Sequence, residues 1–408
     1  MENQVINIIK NLTANIPSTL YGPERFLYIV KLCENLELKE KAGLVEYFNE
    51  FLDEMIKRGA SDIEMGGHGT KHRIWLRIYG KKEPVSDFPA MTEDESAMLI
   101  GSLLTVSQIE ELSRYRNVDF SYSYYNKKLG KRIRFRADAY FEMDTVALNM
   151  RSISAEIRSL ESLEFHKGAL RMMSHKHYKF GLSLVTGITG SGKSSTLDSI
   201  IDYHNNNDNA HIIIIASPIE YVHRSAKCII RHREVSKDVK TFKEGVIQAL
   251  RQDPDIIVIG EMRDPDTIMA ALEVSDTGHK VFSTLHTSSA SESIARIIAE
   301  VNPVEQERVR NRLADVLLSV VSQKLVPSLD GRRVLAKEVL VVNSSVKAAI
   351  KNNNISEVYG MINMGAQSGM ITLEQDLLRL YRQKIISKEN AVAYANNKKR
   401  LVQLMNSI

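Results

Sequence analysis

The sequence predicts an α/β protein: a helix-covered parallel sheet, preceded by a smaller α+β domain and followed by a helical region. Three observations predict it. Short apolar runs, Leu182–Val185, His211–Ala216, Asp255–Gly260 and Lys280–Thr284, recur between helical stretches, as strands buried on both faces of a parallel sheet do. Before them, His72–Tyr79, Phe120–Tyr125, Arg132–Phe141 and Val146–Ile153 read as alternating strands, interrupted by helical stretches at Glu93–Thr105 and Ser107–Tyr115. After about Ser344 the pattern is helical, most clearly at Ile371–Arg382 and Lys388–Asn397.

At 408 residues the chain is long enough for two or three cores. The expected organisation is a helical N-terminal extension over 1–45, an α+β domain over 46–153 and a short polar linker over 154–165. The parallel-sheet domain then covers 166–344 and helices cover 345–408. A hydrophobic content of 43% and a charged content of 25% are ordinary for a globular protein. The net charge of +4 is small for this length and gives no reason to expect nucleic acid, because the basic cluster from Lys127 to Arg136 reads as a solvated hairpin. Cys33 and Cys228 are the two cysteines; they form no CxxC pair and suit a reducing cytoplasm. The start, Met1-Glu2-Asn3-Gln4, lacks a signal-peptide pattern, and no apolar run approaches the ~20 residues of a membrane span. Work at a membrane would therefore go through a partner.

Chemistry enters at Gly187-Ile188-Thr189-Gly190-Ser191-Gly192-Lys193-Ser194, between the run Leu182–Val185 and a helix expected over Ser195–His204. Strand, glycine loop and helix are the context of a P-loop. Glycines let backbone N–H groups curl around phosphate oxygens, and the helix N-terminus adds partial positive charge. Lys193 would reach the outer phosphates, and Ser194 would offer its hydroxyl to Mg²⁺. Thr189, Gly190, Ser191, Gly192, Lys193, Ser194 and Ser195 are accordingly the candidate nucleotide-binding residues.

Two carboxylates extend the pattern. Glu261 follows the apolar strand Asp255–Gly260, where a holder of Mg²⁺-bound water belongs. Glu220, in Pro218-Ile219-Glu220, ends the preceding strand and could orient or deprotonate an attacking water. His279 and His286 flank Lys280–Thr284 and could contact a γ-phosphate.

Together these residues resemble the secretion ATPase superfamily, and most closely the PilT-type retraction ATPases of type IV pili. The resemblance runs from about Ala60 onward. Glu261-Met262-Arg263-Asp264 looks like the end of the family's Walker B segment. Thr277-Gly278-His279 with Thr284-Leu285-His286-Thr287 is similar to its His box, and Pro218-Ile219-Glu220-Tyr221-Val222-His223 to the end of its Asp box. The resemblance implies a PAS-like N-terminal domain joined to a RecA-like ATPase domain, with ATP and Mg²⁺ as cofactors and Glu220 as catalytic glutamate. It also implies a cytoplasmic homohexamer docked on an inner-membrane pilus platform protein, in some systems beside a paralogous ATPase. Arg136 and Arg296 match family arginines that approach the phosphates, and Arg151 is a further candidate.

Three departures stand out. Ala216-Ser217 replaces the family's acidic pair, the segment Ser345–Asn352 differs in several side chains from the retraction signature, and residues 1–45 extend beyond the usual start. The expected function is ATP-driven pilus retraction supporting twitching motility. The alternatives are a type II or type IV secretion or pilus-assembly ATPase, and a nucleotide-binding accessory subunit with little hydrolysis. Assembly and type II relatives carry a tetracysteine insertion that is lacking here, and this favours retraction.

Overall fold

The structure, a computed structural model, describes residues 2–78, 81–153 and 157–407. It divides into two compact units, Met1–Ala155 and Glu156–Ile408.

In the first unit, strands β1 (Asp62–Gly66), β2 (Trp75–Ile78), β3 (Lys81–Pro84), β4 (Asn117–Asn126), β5 (Lys131–Glu142) and β6 (Thr145–Ile153) form one antiparallel sheet in the order β3-β2-β1-β6-β5-β4. Five helices accompany it: α1 (Glu2–Thr13), α2 (Gly22–Glu34), α3 (Leu38–Lys57), α4 (Glu93–Leu103) and α5 (Val106–Tyr115). The period-two pattern decides which face is covered. Along β5, Ile133, Phe135, Ala137 and Ala139 are buried, whereas Arg136 between them is exposed.

The expected strands are present, with His72–Tyr79 shortened to Trp75–Ile78; Tyr79 lies outside the described residues. Sequence reasoning missed β1, which follows α3 through a tight Gly59 turn, and β3, whose four residues are all exposed and carry no apolar signal. The segment 1–45 is helical, but the packing has no break at residue 45. Helix α3 crosses that point, and Val5, Ile9, Phe26, Ile29 and Val30 share one apolar core with Phe48, Leu52 and Phe135.

The second unit is built on a seven-stranded sheet in the order β13-β12-β7-β11-β10-β8-β9. Its strands are β7 (Gly181–Thr186), β8 (His211–Ala216), β9 (Ile229–Glu234), β10 (Ile256–Ile259), β11 (Lys280–Leu285), β12 (Leu317–Pro327) and β13 (Arg333–Val341). All neighbours pair in parallel except β12 and β13. The helices are α6 (Lys167–Met173), α7 (Lys193–Asn207), α8 (Phe242–Ala249), α9 (Pro265–Asp276), α10 (Ala290–Ala299), α11 (Gln306–Val316), α12 (Ser344–Lys351), α13 (Val358–Met364), α14 (Leu373–Arg382), α15 (Lys388–Tyr394) and α16 (Lys398–Asn406).

The four expected strands form the centre of this sheet, and β9, β12 and β13 are additional. Polar residues mask β12 in the sequence. Ser319 Oγ donates to Ser183 Oγ (3.1 Å) and Ser322 Oγ lies 2.7 Å from Thr186 Oγ1, so these hydroxyls satisfy one another inside the sheet.

Residues 154–156 of the expected linker lie outside the described residues. Beyond them Leu160, Leu163 and Phe165 already belong to the core of the second unit. Nor does the packing break at residue 344, since Val346, Ile350, Val358 and Ile362 join that core. Helices α14–α16 form a smaller apolar cluster with Val326 and Ala336 at the ends of β12 and β13. Among the described residues no helix is long and apolar enough to cross a membrane.

Candidate nucleotide site

The site is built where β7, β8, β10 and β11 end. In a parallel sheet these carboxyl ends open into a crevice, and loops of adjacent strands converge there. From β7 the chain passes through Gly187–Gly192 directly into α7, with φ of 151° at Gly187, 79° at Gly190 and 89° at Gly192. A Cβ at Gly187 would stand 2.4 Å from Ser191 Oγ and 2.5 Å from the Gln323 carbonyl, so this position has no space for a side chain. At Gly190 nothing lies within 4 Å, which leaves the backbone open to a ligand.

Lys193 folds back over the loop and donates from Nζ to the carbonyls of Gly187 (2.9 Å) and Ile188 (3.2 Å). Burial lowers its pKa from the ordinary lysine value, opposed by the Glu261 and then the Glu220 carboxylate. Both carboxylates thus act on the lysine through their charge. Glu261, directly beyond β10, pairs with Arg263 Nε at 2.6 Å and His286 Nε2 at 3.0 Å. Burial, and next the charge of Lys193, lower the His286 pKa, while Glu261 pulls it up. Arg263 and Arg296 are weaker depressing influences, which brings Arg296 of α10 within electrostatic reach. Thr189, Ser195 and Glu220 are exposed, while Ser194 is half-buried at the start of α7.

Two buried polar atoms beside the loop have no hydrogen-bond partner: Ser191 Oγ and Gln323 Oε1. Gln323 Nε2 meanwhile donates to the Ser191 carbonyl at 2.8 Å. Sequence reasoning missed Gln323, because it arrives from β12, more than a hundred residues along the chain, and carries no local motif. It also missed the tie between the His286 loop and the C-terminal helices. Asn396 Nδ2 donates to the Ser288 carbonyl (3.0 Å), and Lys324 Nζ donates to the Tyr394 carbonyl (2.8 Å) and Asn396 Oδ1 (2.7 Å).

The structure does not bring His279 to this site. His279 precedes β11, and its carbonyl accepts from Gly181 N at the start of β7. His286 follows the far end of that six-residue strand, so the seven steps between them span ~23 Å at about 3.3 Å per residue. The two histidines share a sequence block but sit at opposite ends of the sheet.

Arg136 and Arg151 belong to the first unit. They are register partners on β5 and β6 and line an open cleft of about 510 Å³ with Asp119, Asp138, Tyr140 and Asn149. Arg136 lies 3.7 Å from Asp119, and Arg151 Nε donates to the buried Asp62 at 2.7 Å.

A family model described as type II/IV secretion system protein matches residues 37–405. The chain belongs to that family. The type IV pilus retraction ATPase PilT of Pseudomonas aeruginosa is 36% identical over 342 residues, covering 84% of this chain and 96% of PilT. A twitching motility protein of Neisseria gonorrhoeae is 37% identical over 323 residues, covering 79% of this chain and 84% of that protein. Among solved structures, the pilus retraction motor PilT with bound ADP superposes with a TM-score of 0.77 at 38% identity, covering 87% of this chain and 98% of that one. The mixed α/β fold is therefore that of a secretion-system ATPase.

Proposed function

We propose that this chain is the ATP-hydrolysing subunit of a homohexameric motor that retracts type IV pili and supports twitching motility. The observation that carries the reading is the glycine loop running from β7 into α7 with Lys193 folded over it, in a chain that PilT matches over 96% of its own length. In this reading the first unit is a PAS-like domain, the second a RecA-like domain, and the protein works in the cytoplasm against a pilus platform protein of the inner membrane.

The residues divide the chemistry as follows. Loop N–H groups from Thr189 to Ser195 wrap the phosphates, and Lys193 exchanges two loop carbonyls for phosphate oxygens. Mg²⁺ entering with the nucleotide would neutralise phosphate charge. The side chains fit it: the Ser194 hydroxyl stands at the start of α7, and Glu261 can accept from a metal-bound water while Arg263 and His286 fix its carboxylate. Glu220 takes the proton from the attacking water. Arg296 stabilises charge on the transferring phosphoryl group.

The test is Lys193→Ala. Hydrolysis by the purified protein is expected to fall at least ~100-fold with circular dichroism unchanged; wild-type turnover would overturn the reading. In cells lacking the protein, excess surface pili and lost motility are expected, restored by the wild type and not by Lys193→Ala. Bald cells would mean assembly, and unchanged pili would mean secretion or an accessory subunit.

A further inference from the structure

The loop that carries Glu220 is held at a point the mechanism above does not use. Between the end of β8 at Ala216 and the start of β9 at Ile229 the chain forms no helix or strand. Its far half is anchored by Asn205 of α7: Asn205 Nδ2 donates to the Arg224 carbonyl at 2.8 Å, and Asn205 Oδ1 accepts from Ala226 N at 2.9 Å. Its near half contains the exposed Glu220 between two buried residues, Ile219 at 3% and His223 at 4% exposure.

His223 makes the polar connection. Its Nε2 lies 3.0 Å from Asp198 Oδ1, and Asp198 stands on α7, the helix that begins at Lys193. The backbone N–H of His223 donates to His232 Nε2 on β9 at 3.1 Å, and the two rings stack at 6.1 Å with 10° between their planes. A ring nitrogen that accepts a backbone N–H carries no proton, so His232 is protonated on Nδ1. A carboxylate only accepts, so His223 donates to Asp198 from Nε2. His223 Nδ1 is buried without a hydrogen-bond partner, and a second proton there would have no acceptor. The network therefore fixes both ring orientations.

We propose that His223 is a positioning residue for hydrolysis, tying the Glu220 loop through Asp198 to the helix that begins at Lys193. Glu220 then moves with the phosphate-binding helix and keeps its distance from the attacking water. The inference rests on the role given to Glu220 above. A base on an irregular loop has no strand or helix to hold it, and a displacement of about 1 Å can cost ~100-fold in rate.

Steady-state ATP hydrolysis by the full-length, assembled protein tests this. His223→Ala and Asp198→Ala are each expected to lower kcat about 10- to 100-fold, with KM for ATP changed less than about threefold. His223→Gln, whose amide can still donate to Asp198, is expected to recover most of the rate. The double variant His223→Ala/Asp198→Ala should be no slower than the slower single variant. In a Glu220→Gln background, His223→Ala should remove nothing further. Wild-type kcat in His223→Ala, multiplying losses in the double variant, or a rise in KM in place of the fall in kcat would each overturn the proposal. Should His223→Ala fail to assemble, Asp198→Ala and His223→Gln carry the same comparison, since Asp198 lies nearer the surface at 21% side-chain exposure. Glu220→Gln at the wild-type rate would remove the role of Glu220 itself. An inactive Glu220→Gln beside a fully active His223→Ala would remove the tie alone.

Discussion

Lys280 shows how far a single residue can depart from its usual setting. It begins β11 fully buried, its ammonium group donates to the Met172 carbonyl, and the Tyr178 and Phe282 rings lie 5.9 and 5.5 Å from it. Desolvation brings its pKa down to about 7. Between that value and the unfolded lysine pKa the unfolded chain binds the extra proton, so this group makes stability rise with pH from about 7 to 10. The slope is at most about 1.4 kcal/mol per pH unit. Lys280→Met is expected to flatten it, read as denaturant midpoints at pH 7, 8 and 9. The sequence showed a lysine heading an apolar run and gave no reason to expect it inside. Its burial follows from β11 lying at the centre of a sheet assembled from distant segments.

At the scale of elements, the strand ends set the site. Gly187 follows β7 at a φ of 151° against Ser191 and Gln323, so Gly187→Ala is expected to cost about 2 kcal/mol and to weaken nucleotide binding more than tenfold by fluorescent-nucleotide titration. On β13, the buried Glu338 accepts from Ala290 N (2.8 Å) at the head of α10, and burial raises its pKa to about 7. Here the sign is opposite to that of Lys280. The folded state holds the proton more tightly, so the contribution of Glu338 falls as pH rises from about 4.5 to 7. Glu338→Gln keeps an acceptor for Ala290 and is expected to remove that decline, measured as thermal midpoints at pH 5, 6 and 7. The strands next to the glycine loop were legible because they are continuous apolar runs with an acidic or glycine signal at one end. β12 was not, because Ser319, Ser322 and Gln323 look like surface polarity until their partners on β7 and the glycine loop are seen. The placement of His279 was misread for a related reason. A motif shows which residues travel together in sequence, and a strand between two of them carries them to opposite edges of the sheet.

For the whole molecule, the segment before residue 37 lies outside the family match yet inside the first core. Phe26, Ile29 and Val30 are 1–7% exposed, and each apolar side chain of this kind contributes about 1.5–3 kcal/mol by burial. Deleting residues 2–36 is expected to lower the unfolding midpoint of the first unit sharply. The tryptophan count of one makes this measurable, because Trp75 lies on β2 and its fluorescence reports that unit. An unchanged tryptophan transition would show that these helices only decorate the surface. Sequence reading treated them as an appendage, since amphipathic helices carry no label for what they cover.

The bond from Asn396 to the Ser288 carbonyl has a practical meaning for anyone building tools from this protein. Ser288 is two residues from His286, so a reporter attached beside Asn396 sits one hydrogen bond from the loop that flanks Glu261. A dye on α16 would thus serve as an optical gauge of the ATP cycle. A bulky tag fused close to α15 would act as a brake on the motor it was meant only to mark.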